Sequence, residues 1–87
     1  MYKKQLEILK SYFLTRVRMT EENRYSLIVI VRENTLLSMR ELREIFMIGS
    51  NSHVEMKAFK KVEEDKESKK IHQQNVENLT SLGFPFV

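Results

Sequence analysis

The chain of 87 residues contains no cysteine, one proline and only two glycines, Gly49 and Gly83. Each shortage removes a class of function. Without cysteine there is no thiol nucleophile, no thiolate metal site and no disulfide framework, so a reducing compartment and a cytoplasmic location are expected. Two isolated glycines cannot build a phosphate-cradling loop. The longest apolar run, Leu27–Val31, is far shorter than the ~20 residues that cross a bilayer. The N-terminal MYKKQLEILK interrupts its apolar residues with charge and does not read as a signal peptide. Internal repeats, low-complexity tracts and proline-rich linkers are also absent.

Catalytic groups are equally sparse. The two histidines, His53 and His72, lie nineteen residues apart and outside any His-Glu-x-x-His arrangement. The acids cluster as Glu21-Glu22 and Glu63-Glu64-Asp65, but adjacent residues on a helix point apart. Solvated acids explain these clusters better than paired catalytic carboxylates do. The expectation is a non-enzyme with no metal and no cofactor.

What is present is helical patterning and a mild basic surplus. The net charge is +3. The surplus lies in residues 1–50, with nine Lys/Arg against six Asp/Glu, while residues 51–87 carry six of each. A basic domain suits nucleic acid, although +3 also serves ordinary solubility. One domain of this length has a small core and would gain from dimerisation.

Tyr2, Leu6, Leu9, Phe13 and Val17 fall at helical spacing, widened by Ile8, Tyr12 and Leu14, and predict an amphipathic helix over about Tyr2–Arg18. Packing on the domain or on a twin subunit is preferred to a membrane surface, because a small core needs this stripe. Thr20-Glu21-Glu22 offers a capping hydroxyl followed by acids in a first turn. The stretch RYSLIVIVREN after it is rich in β-branched residues, so a strand at 25–31 stays open. The cap and the length favour a buried helix.

Ser38 followed by Glu41 is a capping box, and Met39, Leu42, Ile45 and Phe46 form the stripe of a helix over about Met39–Met47. Gly49 is expected to supply a positive φ that ends it. Ser52 and Glu55 suggest a second capping box, with Met56, Phe59 and Val62 as the apolar face and Ala58 beside it. The charged run Glu63–Lys70 has no apolar residue and reads as a solvated helical face or a linker. A last helix over about 66–82, carrying Ile71, Val76, Leu79 and Leu82, ends at Gly83 and Pro85. Whether 53–82 is one continuous helix, roughly 45 Å long, is left open. Such a helix would serve as an extension or dimerisation arm. The apolar tail Phe84-Pro85-Phe86-Val87 docks on a core or on a partner.

Two capped helices with a short glycine-containing break are the parts of a helix-turn-helix at about 38–62. Arg40 and Arg43 lie on the first helix. Ser50, Asn51, Ser52 and His53 follow the turn, and Lys57, Lys60 and Lys61 line the second helix. Side chains of these types could meet phosphates and base edges. Against this, Glu41, Glu44 and Glu55 stand among them and would repel phosphate.

The stretch Arg24–Glu64 resembles the three-helix core of bacterial winged-helix and related helix-turn-helix regulators, with an apolar helix, a Ser-capped S-x-R-E-L helix, a turn and a basic reading helix. The likeness places Ser38, Arg40, Glu41 and Leu42 in the supporting helix and Ser50–Lys61 in the turn and reading helix. The turn between Phe46 and Val54 is one residue longer than usual. No hairpin follows Val62, so the likeness is to a wingless form. If Tyr25–Val31 were a strand, the chain would be similar instead to ribbon-helix-helix repressors, whose outward strand positions should be polar.

The expectation is therefore a single all-α domain over 1–87, dimeric, with a helix-turn-helix core, an amphipathic N-terminal helix and a long charged C-terminal helix. It implies a small regulator or accessory factor that binds duplex DNA through Arg40, Arg43, Ser50, Asn51, Ser52, His53, Lys57, Lys60 and Lys61. The alternative is a protein-interaction module (an inhibitor, antirepressor or assembly adaptor of a mobile element) that engages another protein through Phe84 and Phe86.

Overall fold

A computed structural model describes the backbone from Tyr2 and the side chains from Lys3 to Val87. The Tyr2 side chain, placed by its spacing on the first stripe, lies outside that set. Among the described residues the fold is all-α: α1 Tyr2–Thr15, α2 Glu21–Asn34, α3 Met39–Phe46, α4 Ser52–Glu64 and α5 Lys66–Ser81. None of these helices is long and apolar enough to cross a membrane.

The centre of the fold is α2. Seven consecutive residues, Tyr25 to Val31, are buried. A strand with one wet face would alternate. A continuous buried run requires an element covered on every side. Here α4 and α5 pack closely on α2, and α4 packs on α5. The start of α2 is set by the Thr20 hydroxyl, which accepts the Asn23 N–H at 3.2 Å. Glu21 and Glu22 follow in the first turn, where the helix dipole favours negative charge.

Helix α1 buries Leu9, Tyr12 and Phe13 and leaves Leu14 partly exposed. It stops at Thr15, three residues before the expected end. The Arg18 carbonyl instead accepts the Thr20 N–H at 2.9 Å and the Asn23 side-chain amide at 2.7 Å. The connection to α2 is thus a tied turn rather than a helical extension.

The Ser38 capping box forms as the sequence implies, with Ser38 Oγ accepting the Glu41 N–H at 3.1 Å and Glu41 Oε1 accepting the Ser38 N–H at 3.0 Å. Leu42 and Phe46 carry the buried face of α3. The end of α3 corrects the expectation. The left-handed residue is Met47, at φ 55° and ψ 40°, not Gly49. A Cβ on Gly49 would meet Arg24 Nη1 at an ordinary 3.6 Å, so packing does not demand glycine there.

The cap of α4 is also shifted. Asn51 Oδ1 accepts the Val54 N–H at 2.9 Å, so the helix is capped one residue before Ser52. Its buried face is centred on Ala58, with Val54, Phe59 and Val62 partly buried beside it. Met56, expected on that face, is 74% exposed.

A continuous helix over 53–82 is overturned. Asp65 adopts an extended conformation and serves both neighbours. Its N–H donates to the Lys61 carbonyl at 2.8 Å, closing α4. Its carboxylate accepts the Ser68 N–H at 3.0 Å, opening α5. The Ser68 backbone N–H, and then its hydroxyl, hold the Asp65 carboxyl below its ordinary value; desolvation opposes them and the Lys61 charge adds to them. The last helix therefore folds back on α2 and α4 and does not project as an arm.

Gly83, at φ 88°, ends the structure beyond α5, and the Phe84 N–H returns to the Leu79 carbonyl at 3.0 Å. Phe84 is 4% exposed, and its ring meets that of Phe86 edge-on at 4.8 Å. The Val87 N–H donates to Asn34 Oδ1 at 2.8 Å. The assignment of Phe84 and Phe86 to a partner surface is corrected here: Phe84 belongs to the core of its own chain and Phe86 is half-buried against it.

Two substitutions test this packing. Ile28→Ala, at a fully buried site, should lower unfolding stability by about 2–5 kcal/mol in a urea titration. Tyr25→Phe should be neutral or stabilising by up to ~1 kcal/mol, because the Tyr25 hydroxyl is buried without a hydrogen-bond partner.

Candidate nucleic-acid interface

The nine residues proposed for DNA contact divide sharply once their partners are known. On α3, Arg40 lies along the helix and pairs with Glu44 at 3.2 Å, both side chains being well exposed. An exposed i,i+4 pair of this kind is weak and can be exchanged for another partner. Arg43 is exposed but uses Nη1 to donate to the Ser50 carbonyl at 2.6 Å, bracing the turn between α3 and α4. Ser50 itself is 3% exposed, and its hydroxyl points at the Met39 sulfur at 3.7 Å. Asn51 is occupied by its capping bond. Burial removes Ser50 as a base-contacting residue, and local hydrogen bonds occupy the Arg43 guanidinium and the Asn51 side-chain oxygen.

The remaining five gather on α4. Ser52, His53, Lys57 and Lys60 are exposed, and Lys61 is half-buried. His53, Lys57, Lys60 and Glu64 follow one another at steps of four, three and four, so they share one face. Ala58 sits on the opposite, buried side. A small residue there lets the backbone of α4 approach its neighbours closely, which holds the outer face in a fixed position. Lys57, Lys60 and Lys61 border a surface hollow of ≈ 420 Å³, closed at one end by Glu64 and Asp65. Among the described residues no ion pair engages these three lysines.

The three acids expected to repel phosphate are each engaged. Glu55 accepts from Arg32 Nε at 2.7 Å, and Arg32 also donates to the Leu37 carbonyl at 3.1 Å. Glu44 is held by Arg40 and Glu41 by the Ser38 N–H. On α4 itself the Glu55 charge is offset by Arg32, while Glu41, bonded to a neutral N–H on α3, keeps its charge. α3 and α4 are not closely packed on each other; α4 leans on α2 and α5, while α3 touches α1. Three large apolar side chains also stand in solvent near these elements: Leu36 at 91%, Met47 at 88% and Met56 at 74% exposed.

A second polar cluster escapes a reading of the sequence. The Tyr12 hydroxyl donates to Asn75 Oδ1 at 2.7 Å and accepts from Asn78 Nδ2 at 3.0 Å. Asn75 Nδ2 donates to Asn23 Oδ1 at 2.9 Å and to Ser26 Oγ at 3.0 Å. Ser26 Oγ lies 2.9 Å from His72 Nδ1. The cluster pins α1, α2 and α5 together. Ser26 is fully buried, so its bond to an imidazole makes no accessible nucleophile. One signal was available in the sequence. Ser68, His72, Asn75 and Leu79 fall at steps of four, three and four, and this stripe, three-quarters polar, faces inward. The apolar residues Ile71, Val76 and Leu82 flank it and are only partly buried.

The histidines are far apart in role. His53 is on the open face of α4, while His72 is half-buried and its pKa is pushed down by desolvation. Among the described residues no group of three or more His, Asp or Glu is placed to hold a metal ion.

Compared with known proteins, the chain matches no family model, no curated protein and no solved structure.

The polar cluster predicts an asymmetry between two substitutions. Asn75→Ala strands Tyr12, Asn23 and Ser26 and should cost about 2 kcal/mol or more in chemical denaturation. Tyr12→Phe leaves Asn75 Nδ2 bonded and should cost about 1 kcal/mol.

Proposed function

We propose that this protein is a small, non-enzymatic DNA-binding regulator or accessory factor, dimeric and cytoplasmic, that meets duplex DNA with the outer face of α4. One observation carries the reading. Among the described residues Lys57 and Lys60 stand exposed and outside any ion pair on the helical face they share with His53 and Glu64, while the opposite face is seated through Ala58. A rigid helix with an unneutralised basic edge suits the major groove, which is wide enough to admit an α-helix. Lys57, Lys60 and Lys61 would neutralise phosphates and supply most of the affinity. Ser52 and His53, in the first turn, would reach base edges, as the N-terminal residues of reading helices do. Arg40 could exchange Glu44 for a phosphate. Arg43 would act indirectly by bracing the turn that leads into α4.

The helix-turn-helix likeness enters this reading with two adjustments. The turn is set by Met47 and Asn51, and the two helices rest on different neighbours, α4 on α2 and α5 and α3 on α1. A second reading is favoured by Leu36, Met47 and Met56, whose exposure suits a protein-interaction module such as an inhibitor, antirepressor or assembly adaptor of a mobile element. Under that reading Met47→Asp with Met56→Asp abolishes function while the lysine changes are silent.

Fluorescence anisotropy on mixed-sequence duplexes, from ~50 mM salt upward, tests the proposal because electrostatic affinity is greatest at low salt. The chain should bind at ~50 mM, with a log–log salt slope near about −3 for three phosphate contacts. Lys57→Glu with Lys60→Glu should weaken binding by at least about tenfold, and each single Lys→Ala should flatten the slope by about one. No binding at ~50 mM salt by the folded chain would refute it.

A further inference from the structure

The hydrogen-bond cluster between α1, α2 and α5 has a direction, and that direction ends on His72. It starts from a group that can only accept, the Arg18 backbone carbonyl, which takes a bond from Asn23 Nδ2 at 2.7 Å. Asn23 therefore turns its oxygen toward Asn75, and Asn75 must answer with its NH2 group at 2.9 Å. The Asn75 oxygen is then left to accept the Tyr12 hydroxyl at 2.7 Å. The same NH2 group donates to Ser26 Oγ at 3.0 Å, so the Ser26 proton can turn to His72 Nδ1, 2.9 Å away, when the ring carries its own proton on Nε2. An acceptor at Nδ1 means a neutral imidazole with its proton on Nε2.

We propose that His72 is a one-proton lock: neutral, it completes the chain that holds α5 on α1 and α2, and protonation breaks that chain and loosens α5 together with the tail. A protonated ring has a donor at Nδ1. Ser26 Oγ would then face two donors, from His72 and Asn75, and its own proton would lose its acceptor. Because Ser26 is fully buried and Asn75 3% exposed, water cannot replace the lost partner without opening the helix contact.

Few charges offset this. From α2, Glu33 borders the hollow beside His72, together with Asn34. Glu33 is exposed and makes no hydrogen bond to the ring among the described residues. On α5, Lys69 lies one turn earlier, and its charge opposes a second positive one. From α1 the nearest titratable member of the chain is Tyr12, three hydrogen bonds removed. From α4 no charged side chain bonds to His72 among the described residues; from the tail, Val87 with its α-carboxylate borders the same hollow as His72 and is, with Glu33, the negative charge that favours a protonated ring. Desolvation, which lowers the His72 pKa, acts in the same direction as the geometry.

The pH dependence follows from a folded-state pKa below the ordinary 6.5. Above 6.5 the ring is neutral both folded and unfolded, and the lock is complete. As the pH falls below 6.5 the unfolded chain takes the proton first, so stability declines until the folded-state pKa is passed.

Long-range proton–nitrogen NMR spectra of the full chain give the direct test. At pH 7.5 His72 should show a bare Nδ1 and a protonated Nε2. Between pH 7.5 and 5.5 the melting temperature should fall by about 4 °C or more, and amide exchange, corrected for its intrinsic pH dependence, should accelerate most in α5 and at Phe84–Val87. His72→Gln should flatten that pH dependence while His53→Gln retains it. If His72→Gln does not fold, the ring spectra of the unaltered chain decide alone. An Nδ1-protonated or charged ring at pH 7.5, a His72 midpoint at or above 6.5, or a melting temperature unchanged over this range would each overturn the proposal.

Discussion

The structure depends on one constraint: α2 has no wet side for two full turns. A run from Tyr25 to Val31 that is buried at every position cannot lie at a surface, so the rest of the chain must surround it. Burial of these side chains is the main favourable term available to a domain of this size. It also imposes a demand, because Ser26 sits within the run and carries a hydroxyl that must be satisfied away from water. The polar stripe of α5 meets that demand. Asn75 and His72 serve Ser26, Asn23 and Tyr12 at once, so the most deeply buried helix is positioned by its one buried polar residue.

The same economy decides which surface groups stay free. Charged side chains near the α3–α4 junction are largely spent on holding the turn and the helix starts. Arg43 braces Ser50, Arg32 holds both Leu37 and Glu55, and Glu41 completes a cap. The basic edge of α4 is what remains after that allocation. Its openness is a residue of the packing, since Ala58 fixes which side of the helix faces inward.

Much of this was legible in local signals. The Thr20 cap, the Ser38–Glu41 box, the stripe of α1 and the Gly83 stop are written within four or five residues, where side chain and backbone meet directly. The failures share a different cause. At Met47 and Asn51 two residues competed for one role, and the fold chose Met47 over Gly49 and Asn51 over Ser52; at Asp65 the sequence left a break and a continued helix both open, and the break is what forms. Met56 fell on the wrong side because α4 rotates to bring Ala58, the smallest candidate, against α2 and α5. The polar cluster joins residues as far as 66 positions apart, as in the Asn78–Tyr12 bond. A search for apolar periodicity passes over a buried stripe made of Ser68, His72 and Asn75. For the candidate interface, residue type singled out α3 and α4 but could not reveal that Ser50 is buried and that Arg43 donates to the Ser50 carbonyl.

Asp65 joins α4 to α5 with no spare residue, closing one helix and opening the next through its own backbone and carboxylate. A connection of one residue leaves no slack. Inserting or deleting a single amino acid there would turn α5 by about 100° about its axis, a 3.6-residue turn divided by residue. That would aim Asn75 and Leu79 away from α2 and bring charged positions inward. The joints at 16–20, 35–38 and 47–51 have several residues of backbone to take up a change of length, which the α4–α5 corner lacks.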